Sequence, residues 1–299
     1  MSKSIIEQKI SRQKIPKRKS TKTNALLLNA LTWAVVLLSL LPILWMMFSS
    51  LCNYSDVTSG QQLSSNAPLQ WQNYADMWTN VDFFTYFKNS LIVCSITTVL
   101  ATASATCAAY ALARFRFRGS DTVSVGISVT QVIPGMLFFL PLYMLYKSIG
   151  ESWGVTMLDT YHGLIFLYVA LFTPASIWIM RGFFVSIPRE LEDAAVIDGC
   201  SRFGAFVRVV LPISAPGIIA TATFIFLLAW DELFFAWTLT SSSSVQTIPV
   251  GIRLFIGQFQ QRYDLMMAAA TVSTLPVLIA FLVCQRFFIK GLAAGAIKG

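Results

Sequence analysis

Side chains able to do chemistry are scarce in this chain, so the few places where they gather carry most of its meaning. Asp231 and Glu232 stand side by side inside an apolar run from Ile213 to about Trp237, about 18 residues or roughly 27 Å from its start. Carboxylates at such depth are costly and face a cavity or a partner. Two readings stay open for them. They line a polar path near an outer mouth and accept hydrogen bonds from hydroxyl groups, or they sit at a helix end already in headgroup water. Phe83, Phe84, Tyr86, Phe87, Trp230 and Trp237 offer a similar choice between stacking on sugar rings and forming an interfacial belt, and the belt is the default.

Other chemistries are disfavoured by what the chain lacks. His162 is the single histidine, which removes His-pair metal sites and argues against a His-based triad. Beside Tyr161 at a predicted membrane edge, it reads as an interfacial residue. The five cysteines (52, 94, 107, 200 and 284) are scattered, with neither a disulfide framework nor a CxxC pair. No GxxxxGKS/T phosphate loop occurs. Residues 291–299 hold glycines and a lysine in the wrong order, so ATP is not expected to bind here through such a loop. No catalytic residue, metal site or cofactor of its own is therefore expected in this chain.

The stretch from Ser186 to Pro216 is a charged island between two long apolar runs. Pro188 fits a first helical turn, and Glu190, Glu192 and Asp193 lie where the helix dipole favours negative charge. Gly199 can supply a left-handed residue that ends the helix, giving about ten residues, roughly 15 Å. Ser201 is then a possible N-cap for a second helix whose apolar residues Phe203, Phe206, Val207 and Val210 fall at i, i+3, i+4 and i+7, until Leu211-Pro212 stops it.

The elements that must position these residues are predicted to be membrane spans. Hydrophobic residues make up 56% and charged ones 12%, with a mean hydropathy of +0.65, against about 25% charged in soluble domains. Of the formal net charge of +8, +7 lies in residues 1–23, where eight lysines and arginines oppose Glu7 alone. That arm fits the positive-inside rule and anionic lipid better than nucleic acid. The spacing predicts six spans: Asn24–Leu51, Phe87–Ala113, about Val123–Tyr146 (kinked or interrupted, since it holds Pro134, Gly135 and Pro141), Tyr161–Met180, Ile213–Trp237 and Leu265–Ile289. A short interfacial helix is expected within Pro249–Phe259. With both termini inside, eighteen of the 22 basic residues fall on the inner side, and only Lys88, Lys147, Arg253 and Arg262 outside. The fold class is all-α and polytopic: a basic cytoplasmic arm, 1–23, then one transmembrane domain, 24–299, with a cytoplasmic loop at about 182–212.

The sequence D-A-A-V-I-D-G at Asp193–Gly199, followed by Leu211-Pro212, resembles the "EAA" loop of ABC importer permeases, with Asp193 in place of the motif's Glu. A-W-D-E-L-F-F-A around Asp231 is similar to the A-W-N-E-F-L-F-A of sugar-type permeases, with Asp in place of Asn. N-Y-A-D-M-W (Asn73–Trp78), Y-F-K-N-S (Tyr86–Ser90), A-A-Y-A-L-A-R (Ala108–Arg114), P-L-Y (Pro141–Tyr143) and the tail Q-R-F-F-I-K-G-L-A-A-G-A-I-K-G extend the likeness from Trp33 onward.

The resemblance to the carbohydrate-uptake, maltose-type branch implies an ABC type I importer permease fold in the cytoplasmic (inner) membrane of a prokaryote. It implies a second permease subunit, two ATP-binding subunits that carry ATP and Mg2+, and an extracytoplasmic solute-binding protein. It implies ATPase coupling through Glu192, Asp193, Ala194, Ala195, Asp198 and Gly199, and contact of the tail (Gly295, Lys298, Gly299) with the ATPase pair. It assigns Trp230, Asp231 and Glu232 to the solute path. The function expected is translocation of a sugar or sugar-like solute by alternating access, and the alternative is a secondary transporter or channel acting alone.

Overall fold

The computed structural model describes residues 22–64, 66–257 and 261–296. Among them the regular structure is helical apart from one isolated antiparallel bridge, Ile256 to Gln261. The chain divides into two compact units, Met1–Phe48 and Ser49–Gly299. In the first, helix α1 (Lys22–Ser49) is apolar on every face, with Leu26, Leu31, Trp33, Leu38 and Leu41 all exposed. A helix apolar all round and 28 residues long fits a span in contact with lipid.

The second unit begins with two short helices, α2 (Tyr54–Ser59) and α3 (Asn73–Asn80), in the predicted outer segment. The long helix α4 (Phe83–Arg114) follows, and α7 (Tyr161–Ser186) packs against it along the most extensive pairing in the molecule. Buried Ala101, Ala105 and Ala109 recur every fourth residue on α4, and their small side chains let the two backbones approach.

Between α4 and α7 the third run is interrupted, one of the two forms its prolines predicted. Helix α5 (Ser120–Val132) ends where Pro134 forces Ile133 into an extended conformation (φ −82°, ψ 123°). A 3-10 turn, Gly135–Phe138, leads into α6 (Phe139–Trp153), and the two arms meet at 95°.

The fifth span departs from its predicted shape at both ends. After α8 (Glu190–Ile197) and the short α9 (Arg202–Ala205), Phe206–Val210 is a π-helical turn leading into α10 (Leu211–Ile213). The helix therefore runs through Leu211-Pro212 and turns at Ser214, where it meets α11 (Ala215–Trp230) at 73°. Pro212 explains the π turn. It has no N–H for the preceding turn, and the Leu211 N–H reaches back five residues to the Phe206 carbonyl. At the far end α11 stops at Trp230, seven residues before the expected Trp237, and a new helix α12 starts (Phe234–Leu239).

Helix α13 (Ile248–Arg253) is the expected short outer helix, and α14 (Tyr263–Ala296) is the last span. Its 34 residues reach about 51 Å, well beyond an apolar core of roughly 30 Å. Taken by length and hydropathy, four helices can each cross a membrane, and six spans result when each bent pair is one crossing. Gly217 sits where α11 meets α7: a Cβ there would lie 2.5 Å from the Phe183 ring, so only glycine allows this contact.

Candidate functional site

The loop between α7 and α11 is built as two helices joined by a glycine elbow. Ile187 is extended ahead of Pro188, so Pro188 lies before the helix and α8 begins at Glu190, giving eight residues in place of about ten. Glu190, Glu192 and Asp193 occupy its first turn, beside the positive end of the dipole. At the other end the N–H groups of Asp198, Gly199 and Cys200 return to the carbonyls of Ala194, Val196 and Ala195, at 2.9 to 3.0 Å. Gly199 makes this closure with φ +90°, a conformation a side chain would strain. Ser201 then caps α9, its Oγ accepting from the Gly204 N–H at 3.0 Å.

One face of α8 is fastened to the end of α4. The Glu192 carboxylate is ion-paired to the Arg114 Nε and accepts from the Tyr110 hydroxyl at 2.9 Å. Arg114 also donates to the Ile187 carbonyl at 3.0 Å, and Arg189 donates to that of Ala113 at 3.1 Å. The pair is nearly buried, with side chains 7% and 14% exposed. Tyr110 is held in turn by the Phe206 ring, centroid to centroid 4.2 Å, and by Phe184 at 5.6 Å. Ala195 points into the same side.

The opposite face is open. Ala194, Asp198 and Gly199 are exposed on it, as is Glu190, while Asp193 is exposed at its edge, beside Glu192 and Arg114. Among them stand large apolar side chains: Ile197 is 85% exposed, Phe203 on the neighbouring α9 75%, and Leu191 43%. A greasy patch rimmed by carboxylates on a short rigid helix is the form of a docking surface.

The six loop residues assigned by sequence thus divide. Ala194, Asp198 and Gly199 belong to the open face, Glu192 and Ala195 are turned into the protein and hold the helix in place, and Asp193 lies between the two, exposed but bordering the recess at Arg114. Ile197 and Phe203 are the patch residues that motif reasoning missed. The signal was there, since both are large apolar residues within four positions of Gly199 in a charged segment.

The outer group is spread over three environments. Trp230 is 6% exposed, stacked on Phe226 at 5.4 Å, and donates through Nε1 to the Ser273 carbonyl at 3.1 Å. Asp231 is exposed at the helix break. Glu232 accepts from the Tyr168 hydroxyl at 2.6 Å and from the N–H groups of Phe235 and Ala236 at 2.9 and 3.0 Å. It caps α12, a role that neither open reading anticipated, and explains why the fifth run breaks there. In the tail, Gly295 lies within α14, and Lys298 and Gly299 fall outside the described residues.

Comparison with known proteins follows this geometry. The family described as "Binding-protein-dependent transport system inner membrane component" matches residues 102–293. The trehalose/maltose transport system permease protein MalG of Thermococcus litoralis is 32% identical over 277 residues, covering 92% of this chain and 96% of the relative. The diacetylchitobiose uptake system permease protein DasC of Streptomyces coelicolor is 32% identical over 258 residues, covering 86% of this chain and 91% of its own length. Among solved structures, a bacterial ABC transporter involved in import of the acidic polysaccharide alginate has a chain that superposes with a TM-score of 0.75. It is 20% identical and covers 90% of this chain and 98% of that one, a likeness of fold.

Proposed function

Since this chain belongs to the family of binding-protein-dependent transport system inner membrane components, we propose that it is one of two permease subunits of an ATP-driven importer for a carbohydrate or sugar-like solute. Two ATP-binding subunits, carrying ATP and Mg2+, drive it from the cytoplasm, and an extracytoplasmic binding protein delivers the solute. The membrane is the inner membrane of a prokaryote. The relatives named for trehalose, maltose and diacetylchitobiose support the solute class.

The observation that carries this reading is the two-sided helix α8. Its inner face is locked to the α4 terminus by the Glu192 to Arg114 pair, and its outer face offers Ile197, with Phe203 of α9 nearby in sequence across the glycine elbow. A helix built in this way transmits force. When the ATP-binding subunits close, the docked helix moves as a rigid body. The π turn and the 73° bend at Ser214 convert that displacement into a tilt of α11, which changes the side of the membrane to which the path opens. No bond is made or broken in this chain.

Ile197→Asp places a charge at the most exposed apolar position and leaves every packed contact of α8 intact. It is expected to insert normally, lose co-purification with a Walker-A-bearing subunit by at least tenfold, and abolish uptake. Gly199→Asp, which strains the elbow, is expected to abolish uptake with insertion preserved. Wild-type assembly and transport in both variants contradict the docking role. Solute movement by the purified chain alone under an ion gradient selects the stand-alone transporter.

A further inference from the structure

Behind the coupling helix lies a small cavity of about 130 Å³, bordered by Tyr110, Arg114 and Phe115 on the α4 side and by Arg189, Glu192, Asp193 and Arg202 on the loop side. Three guanidinium groups meet two carboxylates there, and Glu192 is already neutralised by Arg114. Asp193 is the carboxylate left over. Arg189 has donors beyond the one given to the Ala113 carbonyl, and the exposed Arg202 side chain makes neither a hydrogen bond nor an ion pair among the described residues. Excess positive charge lining a recess of this kind suits a small tetrahedral oxyanion, whose oxygens accept from guanidinium groups.

The position of the cavity selects the source of that anion. Arg114 ends a membrane-spanning helix, and the chain continues as Phe115, Arg116, Phe117 and Arg118, with the two rings 41% and 45% exposed. Alternating aromatic and basic residues at the cytoplasmic end of a span lie at headgroup depth, where the inner leaflet carries anionic lipid. We propose that this pocket holds the phosphate of an anionic phospholipid headgroup, gripped by Arg189 and Arg202. A headgroup seated there joins the start of α8 and the start of α9 to the end of α4, and so braces the glycine elbow from the membrane side.

The test uses the full chain in detergent micelles, with no ATP-binding subunit, so its outcome is independent of the importer assignment. Doping with phosphatidylglycerol is expected to raise the thermal unfolding midpoint, and phosphatidylcholine is not. Arg202→Gln should lose most of that rise, whereas Arg208→Gln, an exposed arginine outside the pocket, should keep it. An undiminished rise in Arg202→Gln, or an equal rise with phosphatidylcholine, overturns the proposal. Millimolar inorganic phosphate reproducing the full effect in lipid-free micelles assigns the site to a soluble anion and overturns the headgroup.

Discussion

Arg114 is the residue on which the loop depends. Its guanidinium holds Glu192 and the Ile187 carbonyl at once, and both ends of the ion pair are shielded from water. Removing one partner of a buried pair leaves the other charge without compensation and costs about 3–5 kcal/mol. Arg114→Ala is therefore expected to release α8 from α4, with amide exchange across residues 190–197 rising by at least a hundredfold and assembly with the ATP-binding subunits falling with it. Glu192→Gln keeps an acceptor for Tyr110 but leaves the Arg114 guanidinium without its counter-charge, so it too should raise exchange across α8. Wild-type exchange in Glu192→Gln would show that the charge is immaterial. The resemblance assigned Glu192, one residue before the motif, to the ATPase contact, and one sequence cannot tell which side of an eight-residue helix faces outward. That depends on where the α4 terminus lies, 78 positions away in the chain.

At the scale of elements, the joint between loop and span is the informative feature. A regular α-helix from Arg202 to Ile213 would need an N–H at Pro212, and the π turn is how the chain accommodates its absence. Pro212→Ala restores that donor and should convert Phe206–Val210 to α geometry, turning Phe206 away from Tyr110. The expected result is an importer that assembles and hydrolyses ATP but transports at least tenfold less per ATP. Transport per ATP at the wild-type level would show that the π turn is not the transmitting joint. The period of apolar residues from Phe203 to Val210 revealed a helix here, and the proline was read as its stop. A proline's effect on a helix depends on whether the preceding turn can widen, which is a matter of packing around Phe206 and Val210.

At the scale of the whole molecule, the segment before α7 is tied to the one after α12. Asp159, with φ +54°, donates its N–H to the Leu239 carbonyl at 2.9 Å, and its carboxylate accepts from the N–H groups of Ser241 and Ser242 at 2.8 and 3.0 Å. Partial burial alone would raise the Asp159 pKa, but the hydrogen bonds from Ser242 and Ser241 outweigh it and hold it below its ordinary value of 3.8. A carboxyl with a lower pKa folded than unfolded stabilises the fold in full above the unfolded value, and that contribution is lost as pH falls through the folded one. Acidification below 3.8 should thus loosen the loop at 239–242, read as faster amide exchange at Ser241 and Ser242, and Asp159→Asn should abolish this pH dependence. An unchanged profile in the variant would assign the effect elsewhere. The sequence by itself determined the class of protein, the order of its spans, the break at Pro134 and the glycine elbow at Gly199. Each of these follows from local chemistry: lipid excludes charge, a ring fixes φ, and a missing Cβ permits positive φ. Only the tertiary structure decided that Glu192 and Ala195 face inward while Ile197 and Phe203 face outward, that Glu232 caps a new helix, and that three arginines close around one cavity. Those outcomes depend on which distant segment each side chain meets, and no spacing along the chain encodes that meeting.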